Sequence, residues 1–171
     1  MDRCSQCGFE YDLADARSAA PAIVAGVARL ATILRHSSSD LRSRPRPEVW
    51  SPLEYGCHVR DVLLVQRERV LWARRVDLPT FEPMGRDERV EHDGYRQQDP
   101  DAVARQMTDA ATMFANVLSR LEDADFERGV MYSYPTPTQR SLRWVALHTV
   151  HEVRHHLLDV RRQLDSGADG A

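Results

Sequence analysis

The sequence predicts an all-α fold, a four-helix bundle behind a short cysteine-bearing N-terminal arm. Three observations carry this: four segments in which apolar residues recur at helical spacing, capping residues ahead of the last three, and no convincing pair of strand-like runs. At 171 residues the chain has the size of one domain, because dividing it would leave two thin cores. The arm is placed at residues 1–17, the bundle at 18–165 and a disordered C-terminal tail at 166–171.

In the first segment Ile23, Val27, Leu30 and Leu34 alternate gaps of four and three, which predicts a helix over about 18–36. Ser37 to Ser39, then Pro45 and Pro47, end it. The second begins at Ser51-Pro52-Leu53-Glu54, where a capping serine precedes proline at the first helical position and glutamate closes a capping box. It is expected over about 52–76, with His58, Val62, Val65, Trp72 and Val76 on its inward stripe. Residues 77–99 read as a long connection able to fold over an open bundle end. Asp99-Pro100 caps the third helix, with Val103, Met107, Ala110, Phe114, Val117 and Leu121 on one face. A connection over 129–139 then leads to Ser141, the cap of a fourth helix reaching about residue 164.

Composition narrows the function classes. A hydrophobic fraction of 42% and a charged fraction of 29% match an ordinary soluble globule. No run is expected to supply the roughly 20 apolar residues of a bilayer span, and the N-terminus lacks a secretion signal, so a cytoplasmic protein without a membrane partner is expected. With 23 basic and 26 acidic residues interspersed, net charge −3, no nucleic-acid partner is expected either. Three cysteines, Cys4, Cys7 and Cys57, do not make a secreted disulfide framework and suit a reducing compartment.

Four histidines fall in one stretch, at positions 148, 151, 155 and 156. His151 and His155, four apart, project from one helical face and could grip one ion, with His148 a turn earlier. Clustered neutral imidazoles on a buried face would compete for partners, whereas a cation turns their lone pairs into bonds. The bland alternative is a solvated polar stripe. His58 shifts the balance, since it interrupts an apolar stripe where an unpaired imidazole is costly. Three inward histidines from two helices match an open three-ligand metal site. Spacing makes Asp61 and Asp159 candidates to orient the ligand rings, whereas Glu54 is accounted for by its cap. Glu152 is expected to point away from the ligand face, leaving Tyr55 and Arg154 as further pocket groups. Ala146, Val150, Val153, Leu157, Val160 and Leu164 form a second, aliphatic face on the same helix. Either that face meets a second subunit, making a homodimer, or it is the bundle core and the histidines face out; the first accounts for His58.

The order of these motifs resembles the DinB-like superfamily of metal-binding four-helix bundles, which includes thiol-dependent S-transferases and a mycothiol-dependent maleylpyruvate isomerase. The resemblance rests on Trp50-Ser51-Pro52-Leu53-Glu54-Tyr55-Gly56-Cys57-His58-Val59-Arg60-Asp61 and on His151-Glu152-Val153-Arg154-His155-His156, and covers most of the chain after Ala20. It implies His58, His151 and His155 as ligands of one divalent metal ion, zinc or nickel, and a bundle that pairs as a dimer. It further implies a small-molecule substrate and a low-molecular-weight thiol cosubstrate, the reaction being metal-dependent thiol S-transfer to an electrophile. The chain departs from the pattern after His155, where many members continue Arg-Gly-Gln and this one has His156-Leu157-Leu158-Asp159. The alternative function is a non-catalytic metal-binding bundle acting as sensor, carrier or scaffold, and fold likeness does not decide between them.

Cys4-Ser5-Gln6-Cys7-Gly8 has the shape of half a zinc knuckle. Three readings stand: a reduced flexible arm, a small structural zinc pinning the arm, or a thiolate reaching the histidine-bound metal. A redox role for the Cys4 and Cys7 thiols is disfavoured because no strand precedes them. Cys57 reads as packing.

Overall fold

In the computed structural model, residues 3–37, 39–133 and 136–168 are described, with side chains to residue 165. In chain order these are a 3₁₀ turn (Leu13–Ser18), α1 (Ala19–His36), α2 (Pro52–Ala73), strand β1 (Thr80–Phe81), α3 (Arg86–His92), a second 3₁₀ turn (Tyr95–Gln97), α4 (Pro100–Leu118), the single turn α5 (Asp123–Phe126), strands β2 (Gly129–Tyr132) and β3 (Thr138–Ser141), and α6 (Leu142–Ala168). The four long helices form the bundle, α1 and α2 each packing on α4 and α6. Residues 166–168 of the expected tail are helical, and 169–171 lie outside the described residues.

The capping signals act as read. Ser51 Oγ accepts from the Glu54 N–H while Glu54 Oε2 accepts from the Ser51 N–H, and Asp99 Oδ1 accepts from the Ala102 N–H. The α1 stripe Ile23, Val27, Leu30, Leu34 and the α4 stripe Val103, Met107, Ala110, Phe114 are buried against each other. By composition alone Leu13–His36 is long and apolar enough to cross a bilayer, contrary to expectation; in the fold its apolar face is a core stripe.

The stripe on α2 is corrected. Trp72 is 41% exposed and Val76 lies beyond the helix, also 41% exposed, whereas Leu53, Cys57, Leu63, Val70 and Ala73 turn to the core. His58, Val62 and Val65 line a cleft instead. This helix is buried on both sides, which explains its weak amphipathic signal and its buried polar residues.

A three-stranded sheet in the order β1-β2-β3 was not expected from the sequence. β1 runs parallel to β2, with Thr80 opposite Met131, and β2 pairs antiparallel with β3, from Gly129 opposite Ser141 to Tyr132 opposite Thr138. Strands of two to four residues are too short to show alternation. The sheet is tethered by tertiary packing, with Phe81, Val130 and Tyr132 buried.

The argument for a second subunit loses its premise. Ala146, Val153, Leu157 and Val160 are buried within this one chain. α1 comes so close to α6 at Gly26 that a Cβ there would lie 2.6 Å from Val153 Cγ1. The opposite, histidine-bearing face of α6 is covered by the N-terminal arm, whose Phe9 is buried and packs with Tyr11 on His151. Most of the aliphatic face of α6 is therefore covered within this chain, and its histidine face is shared between the arm and the cleft.

Candidate metal centre

Among the described residues, the histidines of α6 enter four overlapping donor groups, two of which, His148-His151-Glu152 and His155-His156-Asp159, lie wholly on α6, while the other two reach across to other segments. Residues 151 and 155 share one helical face, and residues 152 and 156 share another about 100° around. His151 and His155 face the N-terminal arm and gather with Cys4 and Cys7. Glu152 and His156 face α2 and gather with His58. In each group the donor atoms lie within 4.8 Å of one another. Among the described residues, no such group joins His58 to His151 or His155. The expected triad does not form one donor group, although His58, His151 and His155 all line the same cleft: the donors nearest His58 are Glu152 and His156, the next residue along in each case.

Glu152 is the member that sequence reasoning set aside. Its Oε2 is 3.7 Å from His58 Nε2 and 3.6 Å from His156 Nε2, near the edge of about 3.4 Å between two donors that share a tetrahedral ion at about 2.1 Å. The signal was legible as Glu152-x-x-x-His156, an i,i+4 pair offset by one from His151-x-x-x-His155. Burial by itself would raise the Glu152 carboxyl, but close imidazoles at His151, His156 and His58 hold it well below the carboxylate range. It remains an anionic donor.

Asp159 supports His156, not His155. His156 Nδ1 and Asp159 Oδ2 are 3.1 Å apart in hydrogen-bond geometry, while His155 Nε2 lies 3.5 Å from the same oxygen. Burial lowers the His156 imidazole's proton affinity, yet Asp159 and Glu152 outweigh it and lift the group to about 9. Tyr55 stacks on His156 with centroids 5.0 Å apart, and Trp50 packs on His58 at the same separation. Asp61 is corrected outright. It accepts hydrogen bonds from Arg60 Nε at 2.8 Å, Arg89 at 3.2 Å and Tyr95 Oη at 2.6 Å, and none from an imidazole. Three residues past His58 it points to the segment over 86–97, which it anchors. Arg154 is exposed and lies over the Phe9 ring, outside the cleft lining.

The His58 group opens on a cleft of about 450 Å³. Trp50, Gln66, Arg69 and Tyr132 line its walls, and Pro83 to Glu88 of the connection before and within α3 form the rim. The Gln66 amide and the Arg69 guanidinium donate to Tyr132 Oη at 2.8 and 3.0 Å. His148, also at the wall, lies 3.0 Å from Tyr11 Oη through its Nδ1, and burial pushes its imidazole down to about 4, so it is neutral. A wider groove of about 810 Å³ near Arg60 and Asp93 has His92 in its lining but, among the described residues, holds none of the donor groups.

Two observations test whether a cation suits these residues. His58 Nδ1 is buried with no hydrogen-bond partner, and so are both ring nitrogens of His151, although Glu152 Oε1 lies 3.4 Å from His151 Nδ1 off the bonding direction. Buried imidazole nitrogens left unbonded are costly; a cation would satisfy one on His151, while at His58 it would be held through Nε2, the nitrogen that faces Glu152.

A helical bundle with imidazole, carboxylate and thiol groups that could hold a metal ion beside a small-molecule cleft defines the class. The DinB superfamily profile matches residues 22–160, and the chain belongs to that superfamily. Its fold is also similar to that of YfiT from Bacillus subtilis, described as a probable metal-dependent hydrolase with an unusual four-helix bundle topology. The two share a TM-score of 0.74 over 88% of this chain and 87% of that one, at 16% sequence identity. No curated protein matches the chain by sequence.

Proposed function

We propose that the protein is a metal-dependent enzyme in which His58, Glu152 and His156 hold one divalent cation, zinc or nickel, at the wall of the cleft. The observation that carries this reading is the convergence of three donors from two helices on a single point beside a cleft of about 450 Å³. Three protein donors leave coordination positions free, as catalytic sites do, and the cleft volume is that of a small-molecule site. A bound divalent cation there supplies Lewis acidity that holds a thiol or a water as its anion at neutral pH. The chain's own residues do the rest. Asp159 and Tyr55 fix the His156 ring, Trp50 fixes His58, and Gln66, Arg69 and Tyr132 present polar groups to a bound substrate.

Within this reading the reaction is transfer of a low-molecular-weight thiol to a small electrophile: the S–H bond breaks, its proton passing to solvent, and the C–S bond forms as the carbon either expels its leaving group with the bonding pair or, in an addition, passes its π electrons to a neighbouring atom that takes up a proton. Family likeness favours the thiol. The free state of Cys4, Cys7 and Cys57 accords with a reducing cytoplasmic setting where such thiols abound. The test compares wild type with His58→Ala and Glu152→Gln, measuring bound metal, thiol loss with a panel of electrophiles, and hydrolysis of ester and amide probes. Loss of thiol consumption together with one equivalent of metal supports the reading. Hydrolysis without thiol loss replaces the reaction, metal binding with neither activity assigns a non-catalytic carrier or sensor, and an unchanged metal complement in both variants overturns the site.

A further inference from the structure

We propose that Cys4, Cys7, His151 and His155 form a second, closed metal site, a structural zinc that fastens the N-terminal arm to α6. One ligand atom from each residue lies within 4.8 Å of the others. Cys4 Sγ is 3.6 Å from His155 Nδ1, which matches the edge of about 3.6 Å between sulfur and nitrogen on a tetrahedral zinc with bonds of about 2.3 and 2.05 Å. Two thiolates and two imidazoles complete the coordination of zinc with no position left for water, unlike the three donors at the cleft.

The local backbone is shaped for this purpose. The Cys4 N–H donates to Phe9 O at 2.8 Å and the Gly8 N–H to Cys4 O at 2.9 Å, closing a tight turn around the two sulfurs. Gly8 takes φ +69°, which a side chain would strain. Gly8 thus does for the knuckle what glycine does after a thiolate pair in zinc-binding turns. Cys4 is buried, and the two cysteines are free rather than joined. Facing them, His151 is 9% exposed with neither ring nitrogen hydrogen-bonded. A reduced arm without metal accounts for the Cys4–His155 contact as a thiol–imidazole hydrogen bond but leaves the buried His151 ring unsatisfied against two thiols.

The site also accounts for the spelling His151-Glu152-Val153-Arg154-His155-His156. Two i,i+4 donor pairs offset by one residue let a single helix serve two ions at once, one face for the arm and one for α2. The ligands join residues 4–7 to residues 151–155, so the ion closes nearly the whole chain into a loop, where a cross-link restrains the unfolded state most. Phe9 and Tyr11, packed on the His151 ring and on each other, would shield it from water.

The experiment loads the full chain with zinc and, separately, with cobalt. Wild type, a Cys4→Ser/Cys7→Ser variant and His58→Ala are compared by metal content, by thiolate-to-cobalt charge-transfer absorption and by the reactivity of the cysteines toward a thiol reagent. Two equivalents in wild type are expected. The cysteine variant should keep one and lose the charge-transfer absorption, while His58→Ala should lose the other and keep it. Circular dichroism confirms that the variants fold. In wild type Cys4 and Cys7 should react only after chelation, and trypsin cleavage after Arg17 should then rise by about tenfold or more as the arm opens. The proposal is overturned if the cysteine variant retains the wild-type metal content and cobalt spectrum, or if both thiols react at full rate in the zinc-loaded protein. Because His58 shares a donor group with Glu152 and His156 but with neither cysteine, failure of one site is distinguishable from failure of the other.

Discussion

Glu54 stands four residues before His58 in the helix-two motif, and its replacement by glutamine separates a structural role from a chemical one. Its side chain is 2% exposed. It accepts from Arg44 Nε at 2.8 Å, from Arg44 Nη2 at 2.7 Å and from the Ser51 N–H at 2.7 Å. The isosteric amide removes the charge and turns an NH2 toward an arginine donor. Breaking a buried ion pair from one side costs about 3–5 kcal/mol, and because the Arg44 side chain keeps 33% exposure we discount this to about 2–3 kcal/mol. For a chain of this size that is a fall of roughly 4–12 °C in Tm. The pH dependence follows in sign. Burial alone would raise the Glu54 carboxyl, but the Arg44 and Ser51 hydrogen bonds hold it below its ordinary value. A depressed carboxyl stabilises the fold fully above its unfolded value near about 4.3 and loses that contribution as pH falls through the lower folded value. Thermal melts of wild type and Glu54→Gln should therefore differ at neutral pH and converge in acid, with metal content unchanged. Equal Tm values at neutral pH together with loss of metal would refute the reasoning and make Glu54 part of the site.

Asp159→Asn should weaken metal binding at the cleft by about 10–100-fold, the usual cost of losing a carboxylate behind a ligand histidine, read by chelator competition with the fold intact; unchanged affinity would remove Asp159 from the site. Tyr95→Phe deletes the 2.6 Å hydrogen bond to Asp61, a bond to a charged group in a buried setting, and should cost about 2 kcal/mol in urea unfolding with no effect on metal affinity. A loss of affinity as large as that of Asp159→Asn would return Asp61 to the metal. Gly26→Val places carbon atoms where Val153 Cγ1 already lies 2.6 Å from an ideal Cβ and should destabilise by about 1–3 kcal/mol, more than Gly26→Ala, whose helix propensity gain offsets part of the clash; equal stability of the two variants would show that α1 and α6 are less tightly packed at this point.

The four long helices were legible because each carries its own instructions: periodic apolar residues on α1 and α4, a capping box at Ser51, a capped start at Asp99. Such signals are local, and local physics decides them. His58 was likewise marked by interrupting an apolar stripe, and Cys4 and Cys7 by their spacing. Which donors meet was not local. On α6 the residues at 151, 152, 155 and 156 all have partners four positions away, so helical geometry offers two faces and does not say which one α2 will meet. Packing chose: α2 approaches the face of Glu152 and His156, and the arm takes that of His151 and His155. The small sheet and the turn of Asp61 toward Tyr95 were decided the same way, by contacts between segments distant in the chain. The sequence by itself determined the helices and the supply of ligands; the tertiary structure alone determined their grouping, because coordination depends on distances between helices that no spacing along one helix encodes.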